Sequence, residues 1–181
     1  MFFSRRSLEN PRTPINEETL DMMFNGPETY AGVQVNEQNS LRLSAVWACV
    51  RILAESMASL PAHVYEEQKS GNKERVTQHR VSELLALNPN SEMTPYIWKE
   101  TIQGHLGSWG NGYAYIIRDM AGRPKELIPL LPHTTFAKRD KDTGDIVYES
   151  TIDGTTFRFR PKDVIHIPGL GYDGLTGYSP I

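Results

Sequence analysis

The chain of 181 residues contains one cysteine, Cys49, and no long run of apolar residues. A single thiol excludes an internal disulfide and a cysteine-cluster zinc site. No stretch approaches the roughly 18–20 apolar residues that a membrane-spanning helix requires, and no apolar run follows the first residues as in a secretory signal. Because no base accompanies Cys49 in the sequence, we expect it to be a small packed residue rather than a nucleophile.

A strong charge of one sign is also missing, since the formal net charge is −3. No overall basic field therefore attracts the chain to nucleic acid or to anionic membranes. Hydrophobic residues make up 39% of the sequence and charged residues 23%, which is ordinary for a soluble globular domain. The composition predicts a protein made and used in a cytoplasm, or in an assembly built there.

Catalytic motifs are absent as well: the sequence has no Gly-x-Ser-x-Gly elbow, no Walker loop and no His-Glu-x-x-His. The five histidines are scattered. The neighbouring carboxylates Glu17-Glu18 and Glu66-Glu67 would point apart on a helix or strand. The residues therefore predict no catalytic, cofactor-binding or metal site, no cofactor, and a protein that is not an enzyme.

Two patterns near residue 170 resemble a phosphate-binding loop and a metal site, but we interpret both as structural. The run Gly169-Leu170-Gly171-Tyr172-Asp173-Gly174 matches G-x-G-x-x-G, but a dinucleotide loop requires a helix to start within it, and here the loop continues. We interpret it as a glycine-rich connection from a sheet to a helix. His166 lies near Asp163 and Asp173 in sequence; its place on a predicted strand favours a structural or surface histidine over a metal ligand.

Apolar residues at three- and four-residue spacing predict a first helix from about residue 44, ended by Pro61. Its apolar face consists of Leu43, Val46, Trp47, Val50, Leu53, Ala54 and Met57. A short helix is predicted at residues 80–87, with Val81, Leu84 and Leu85 inward.

The next helix has the clearest start, with Thr94 as N-cap and Pro95 at the first position. Gly110-Asn111-Gly112 ends it. The residues expected to face the core are Trp98, Ile102, Leu106 and Trp109, with His105 beside them.

The hydrophobic period then changes to two, which predicts strands. Asp153-Gly154 indicates a tight hairpin turn, and Pro129 indicates an edge strand or a bulge. The predicted strands are residues 62–66, 113–118, 126–130, 134–139, 146–152, 155–160 and 164–167. Because the helices come first and an antiparallel strand meander follows, the fold class is predicted to be α+β.

The two ends of the chain differ from its middle. Residues 1–40 are polar, contain several Pro and Gly, and show no sustained periodicity, so they are predicted to form a flexible N-terminal arm, with the folded domain at 41–181. Ser179-Pro180 is a helix-start signal. We therefore expect a truncated domain, with a helix to follow.

Six sequence blocks follow one another over roughly residues 40–181. The first block runs from Leu43-Ser44-Ala45-Val46-Trp47 to Ser59-Leu60-Pro61. The later blocks are Leu84-Leu85-Ala86-Leu87-Asn88-Pro89-Asn90, Gly110-Asn111-Gly112-Tyr113-Ala114-Tyr115, Gly122-Arg123-Pro124-Lys125-Glu126-Leu127-Ile128-Pro129-Leu130, Asp163-Val164-Ile165-His166-Ile167, and Asp173-Gly174-Leu175-Thr176-Gly177-Tyr178-Ser179-Pro180-Ile181. In this order, the blocks resemble those of tailed-bacteriophage portal proteins.

The resemblance implies a structural subunit of a ring, usually of twelve copies, at one vertex of a viral capsid. DNA would pass through the ring during packaging and ejection without sequence-specific binding. The implied partners are other copies of the chain, the terminase large subunit, the major capsid or scaffold protein and the head–tail connector. The implied location is the virion, assembled in the host cytoplasm, with no membrane contact.

Two other functions remain open from the sequence. One is a non-enzymatic assembly or interaction module that forms no conduit. The other is an enzyme whose site is completed by further sequence or by a neighbouring subunit.

Overall fold

The computed structural model describes residues 36–140, 143–171 and 173–181. Most of the predicted arm at 1–40 lies outside the described residues. Residues Glu37–Ile181 form one compact unit. Its helices are α1 (Glu37–Ser40), α2 (Ser44–Ser59), α3 (Arg80–Ala86) and α4 (Pro95–Trp109), with a short 3₁₀ turn at Pro161–Asp163.

The strands pair only in antiparallel fashion within the described part of the chain. A short hairpin separates the helices, and the other strands follow α4. The hairpin is β1 (Tyr65–Glu67) with β2 (Lys73–Arg75), and the later strands are β3 (Asn111–Arg118), β4 (Pro124–Leu130), β5 (Thr135–Arg139), β6 (Ile146–Ile152), β7 (Thr155–Phe159) and β8 (Val164–Pro168).

Two three-stranded sheets carry most of the strands, with orders β4-β3-β8 and β5-β6-β7. Strands β5 to β7 form the expected meander, whereas β8 returns to pair with β3. The α+β class, with helices first and antiparallel strands second, is confirmed. Pro129 lies in β4 at the edge of its sheet, as expected for a residue that lacks an N–H to donate.

Local signals in the sequence set the ends of the elements. The Thr94 hydroxyl accepts a hydrogen bond from the backbone N–H of Ile97 at 3.3 Å, and Gly110 ends α4 with φ of +72°. Asp153 and Gly154 both have positive φ, +48° and +76°, which is the conformation of a tight hairpin turn between β6 and β7.

The core consists of two adjoining hydrophobic clusters. The first joins α3, α4 and the β4-β3-β8 sheet, and the second joins that sheet to β6. The first contains Leu84, Trp98, Ile102, Ala114 and Leu127, and the second contains Tyr113, Leu130, Tyr148 and Val164. Trp98 and Ile102 are thus buried as predicted, whereas Leu106 and Trp109 are only partly buried.

Helix α2 departs from its prediction. It packs against α4, but its buried side chains are the small residues Ala54 and Ala58. The large apolar side chains expected to face the core are mostly exposed, among them Leu43, Trp47, Leu53 and Met57. Cys49 is also exposed rather than packed. The periodicity identified the helix correctly, but the described residues leave most of this apolar surface uncovered.

Among the described residues, no helix combines the length and the apolar character needed to cross a membrane.

Candidate functional site: a glycine clasp

The loop after β8 folds back onto the junction between α4 and β3. The backbone N–H of Gly169 donates to the carbonyl oxygen of Gly110 at 2.8 Å, and that of Tyr178 donates to Leu170 at 2.8 Å. These two hydrogen bonds therefore close the glycine-rich connection that the sequence predicts after β8. We call Gly110, Asn111, Gly169, Gly171 and Gly177 the glycine clasp.

The clasp brings backbone against backbone at distances that exclude a side chain. A Cβ placed on Gly110 would lie 1.9 Å from the carbonyl oxygen of Tyr178, and one on Gly177 would lie 2.0 Å from the oxygen of Gly110. A Cβ on Gly171 would lie 2.0 Å from the oxygen of Thr176. Glycine is the residue that permits such an approach, so the pattern serves chain packing.

The buried side chain of Asn111 joins the loop to the sheet. Its Oδ1 accepts a hydrogen bond from the N–H of Gly177 at 2.9 Å, and its Nδ2 donates to the oxygen of Gly177 at 2.9 Å. The same Nδ2 donates to the carbonyl oxygen of Trp109 at 3.3 Å. The carboxamide therefore pairs with Gly177 as a neighbouring strand would, and it satisfies buried backbone groups that are costly to leave unpaired.

His166 supports Asn111 from β8. Its Nε2 lies 3.1 Å from Oδ1 of Asn111, and its ring stacks on Tyr113 with centroids 4.4 Å apart. Because that oxygen is an acceptor in this network, Nε2 carries the proton. Nδ1 then accepts from the Tyr148 hydroxyl, 3.4 Å away. Burial lowers the pKa of His166 from 6.5 to about 4, so the ring is neutral near pH 7.

Ser179 attaches the last described residues to α4. Its hydroxyl donates to the carbonyl oxygen of Ser108 at 2.9 Å and accepts from the N–H of Ile181 at 3.3 Å. The second contact is the bond an N-cap serine makes to the second residue after it. The segment 177–181 is thereby held to the end of α4 and the start of β3.

The carboxylates near His166 have other roles. Asp163 pairs with Arg118 at 3.0 Å and with Arg160 at 3.1 Å. Asp173 accepts the N–H groups of Leu175 and Thr176. In the part of the chain that the structure describes, no cluster of three His, Cys, Asp or Glu side chains is arranged to hold a metal ion.

Backbone N–H groups of the G-x-G-x-x-G run and of the residues directly after it already have acceptors. Gly169 donates to Gly110, Gly177 donates to Asn111, and Leu175 and Thr176 donate to Asp173. Donors committed in this way do not form a cradle for a phosphate. The arrangement has the chemistry of a structural fastening.

The functional residue that the sequence does not reveal is Asn111. Its sequence context predicts only the helix stop Gly110-Asn111-Gly112. The available signal was a second group of glycines at 169–177, but a close approach between two distant glycine groups is visible only in three dimensions.

A comparison with protein families identifies the family of this chain. The sequence model described as "Phage portal protein" matches residues 44–181, which include the entire clasp. The chain belongs to the phage portal protein family. The resemblance in the sequence is thus confirmed.

Two curated relatives show how much of each protein the matched segment covers. It is 33% identical to the portal protein of Enterobacteria phage HK97 over 149 residues, which are 81% of this chain and 34% of that protein. It is 37% identical to Protein BeeE of Escherichia coli (strain K12) over 134 residues, 73% of this chain and 84% of BeeE. The chain thus spans about a third of the HK97 portal protein.

Solved structures share the fold. Two chains from the neck of gene transfer agent (GTA) particles, from reconstructions with C6 and C12 symmetry, superpose with TM-scores of 0.63 and 0.62 at 23% identity. The match covers 77% and 79% of this chain and 37% of each neck chain.

Proposed function

We propose that this chain is part of a structural subunit of a phage portal ring, located at one vertex of the capsid, and that it is not an enzyme. The observation that carries the proposal is the family match across residues 44–181. The ring would form the conduit for DNA during genome packaging and ejection. An assembly module that forms no conduit is less favoured, because the match spans the whole described unit apart from its first residues.

Ring formation is supported by the particles in which the fold occurs. The neck chains of similar fold come from reconstructions with C6 and C12 symmetry. A closed ring requires head-to-tail contacts, in which one surface of a subunit meets a different surface of its neighbour. We propose that the complete protein forms such a ring, of twelve copies.

The charge distribution suits a conduit that does not hold DNA. Each basic contact to phosphate adds salt-dependent affinity, and here many cations are already paired with carboxylates. The pairs are Arg51–Glu55, Arg80–Glu83, Arg118–Asp163, Arg123–Asp119, Lys138–Glu149, Arg158–Asp140 and Arg160–Asp163. Together with the net charge of −3, this pairing supports passage of double-stranded DNA without sequence-specific binding.

The proposed architecture is a flexible arm at residues 1–40 and a portal wing domain at 41–181. The proposed partners are other copies, the terminase large subunit, the major capsid or scaffold protein and the head–tail connector. The proposed location is the virion, assembled in the host cytoplasm. Deletion of residues 1–40 tests the arm: we expect weaker ring assembly, and unchanged assembly would contradict a role in subunit contacts.

The ring is tested with a chimera in which residues 44–181 replace the matched segment of the HK97 portal protein. We expect electron micrographs to show closed rings with a central hole. The native HK97 protein is the positive control, and the Gly110→Val variant of the chimera, with a disrupted clasp, is the negative control. Compact particles without a hole, from chimeras whose circular dichroism is native, would contradict the proposal.

The enzyme alternative makes a separate prediction. An enzyme with a completed site would bind a nucleotide or a metal, and binding to the folded state raises the melting temperature. We expect no shift in a thermal screen of nucleotides and divalent cations, and a reproducible shift would favour the alternative.

A further inference from the structure

One side of helix α2 carries an apolar stripe that the core leaves mostly uncovered. The stripe, which we call the heptad seam, consists of Leu43, Val46, Val50, Leu53, Met57 and Leu60. Successive members are spaced alternately by three and four residues, which is the 3.5-residue repeat of a coiled-coil contact. Leu43 and Leu60 are the cap residues of the helix.

Four of the six residues of the seam are exposed, and Val46 and Val50 are half-buried. Leu43, Leu53, Met57 and Leu60 are 62%, 59%, 48% and 54% accessible to solvent. Helix α2 meets α4 mainly through the adjacent side, where Ala54 and Ala58 are its buried residues. Val50 borders this contact, since a Cβ placed on Gly107 of α4 would lie 3.5 Å from its Cγ1. Single exposed apolar side chains are common on protein surfaces, but a contiguous row of them marks an interaction site.

The spacing of the seam specifies the shape of its partner. Apolar positions that alternate by three and four fit the side chains of a second helix into the holes between them. Of the exposed neighbours one residue before members of the seam, Cys49 and Ser56 are uncharged, and Arg42, at the start of the seam, is the charged one. Recognition along the middle of the seam therefore depends on apolar packing, and the matching surface is an amphipathic helix with an apolar stripe of its own.

The described part of this chain offers no such helix. Helices α3 and α4 contribute Leu84, Trp98 and Ile102 to the core, and α1 has 4 residues. The HK97 portal protein, in contrast, has about two thirds of its length outside the matched segment, since the match covers 34% of it. Portal subunits thus contain ample sequence from which a covering helix can come.

We infer that the heptad seam is the docking surface for an amphipathic helix supplied by the part of a portal subunit that this chain does not match. The inference rests on membership of the portal family, and through it on the proposed function. It concerns a contact between two segments, so it does not require that a ring closes.

The test uses Cys49 as a built-in probe, because it is the only cysteine of the chain and it is exposed beside the seam. The 181-residue chain is labelled there with bimane, and overlapping peptides covering the unmatched part of the HK97 portal protein are titrated in. We expect one amphipathic peptide to bind, become helical and shift the bimane emission to the blue.

Two variants on adjacent residues distinguish the seam from the rest of the helix. Leu53→Glu lies in the seam and should weaken binding of that peptide by about tenfold or more, as for loss of a central apolar anchor. Ile52→Glu is the matched control, because Ile52 is 61% accessible and lies about 100° away around the helix. It should bind the peptide with unchanged affinity.

Three results would overturn the inference: no peptide binds, Leu53→Glu binds as well as the parent chain, or the parent chain self-associates through the seam. Sedimentation equilibrium detects the last case, in which a dimer dissociates in Leu53→Glu and not in Ile52→Glu. Failure of the chimera to form rings would refute the proposed function instead, because peptide binding and ring closure are measured separately.

Discussion

Helix α2 is rich in apolar residues but largely exposed, whereas the glycine clasp is made of small and polar residues but is mostly buried. Helix α2 carries many large apolar residues, yet its buried members are two alanines. The clasp is made of glycine and asparagine, yet Asn111 and Gly177 are buried. Burial in this unit therefore follows the availability of a complementary surface. The clasp has that surface within the unit, whereas most of the seam does not.

The largest expected loss of stability comes from a substitution at the close backbone contact of the clasp. Gly110→Ala adds a Cβ 1.9 Å from a carbonyl oxygen at a residue with φ of +72°. The left-handed conformation alone costs an alanine about 1–2 kcal/mol, and displacement of the loop leaves buried polar groups unpaired at about 1–3 kcal/mol each. We expect urea denaturation to show a loss of roughly 3–5 kcal/mol in the free energy of unfolding.

Gly122→Ala is the matched control. Gly122 has φ of +77° but no heavy atom within 4 Å of an added Cβ, so it carries the conformational cost without the steric one. Equal losses in the two variants would mean that the close approach in the clasp contributes nothing.

The second prediction compares one residue type in two environments. Ile102 is 5% accessible and Ile52 is 61% accessible. Ile102→Ala should lower the free energy of unfolding by about 2–5 kcal/mol, because it leaves a cavity in the core. Ile52→Ala should change it by less than about 0.5 kcal/mol, as measured by the same denaturation. A large effect at Ile52 would show that this side of α2 is covered within the chain.

The third prediction concerns the side chain that joins the two halves of the clasp. Asn111→Ala removes the partner of the Gly177 backbone groups, and we expect a loss of about 1–3 kcal/mol and faster hydrogen exchange at the Gly177 amide. Asn88→Ala, at an exposed asparagine, should leave both quantities unchanged. Unchanged exchange in Asn111→Ala would refute the role assigned to its carboxamide.

The last prediction is a pH dependence. The pKa of His166 falls from 6.5 to about 4 because of burial, and burial followed by the nearby His133 lowers that of His105 to about 4. At pH values between about 4 and 6.5 the unfolded state binds more protons than the folded state. The free energy of unfolding therefore decreases as the pH falls through this range. Above that window it should be constant.

His166→Gln and His105→Gln should each flatten this dependence, and the double variant should flatten it further. Denaturation midpoints across the window provide the measurement. A slope that the double variant retains in full would assign the dependence to the carboxylates.

Most of the fold was predictable because its signals are local. Thr94 and Gly110 mark the ends of α4, and Asp153-Gly154 marks a hairpin, through interactions within a few residues. The exposure of Leu53 and Met57 was not predictable, because periodicity reports that a helix has an apolar side and not which element covers it. The return of β8 to β3 is a long-range pairing and leaves no local signal.

The site was predictable only in part. The sequence identified Gly169–Gly174 as a loop and His166 as a strand residue, but it assigned them no common role. The contact that unites them, from Asn111 to Gly177, joins residues 66 positions apart. The pattern of side chains along the sequence does not predict this contact, because the glycines approach each other through their backbone atoms.

Asn111 is followed by Gly112, the sequence in which an asparagine most readily ages by cyclisation and loss of ammonia. The reaction requires the next backbone nitrogen to reach the carboxamide carbon, and a poor approach geometry slows it by orders of magnitude. Here the carboxamide is held by Trp109, Gly177 and His166, while Gly112 is fixed in β3. The contacts of the clasp therefore also protect Asn111 from deamidation while the protein is folded. The extent of deamidation at the Asn111-Gly112 bond then reports how long a molecule has been unfolded.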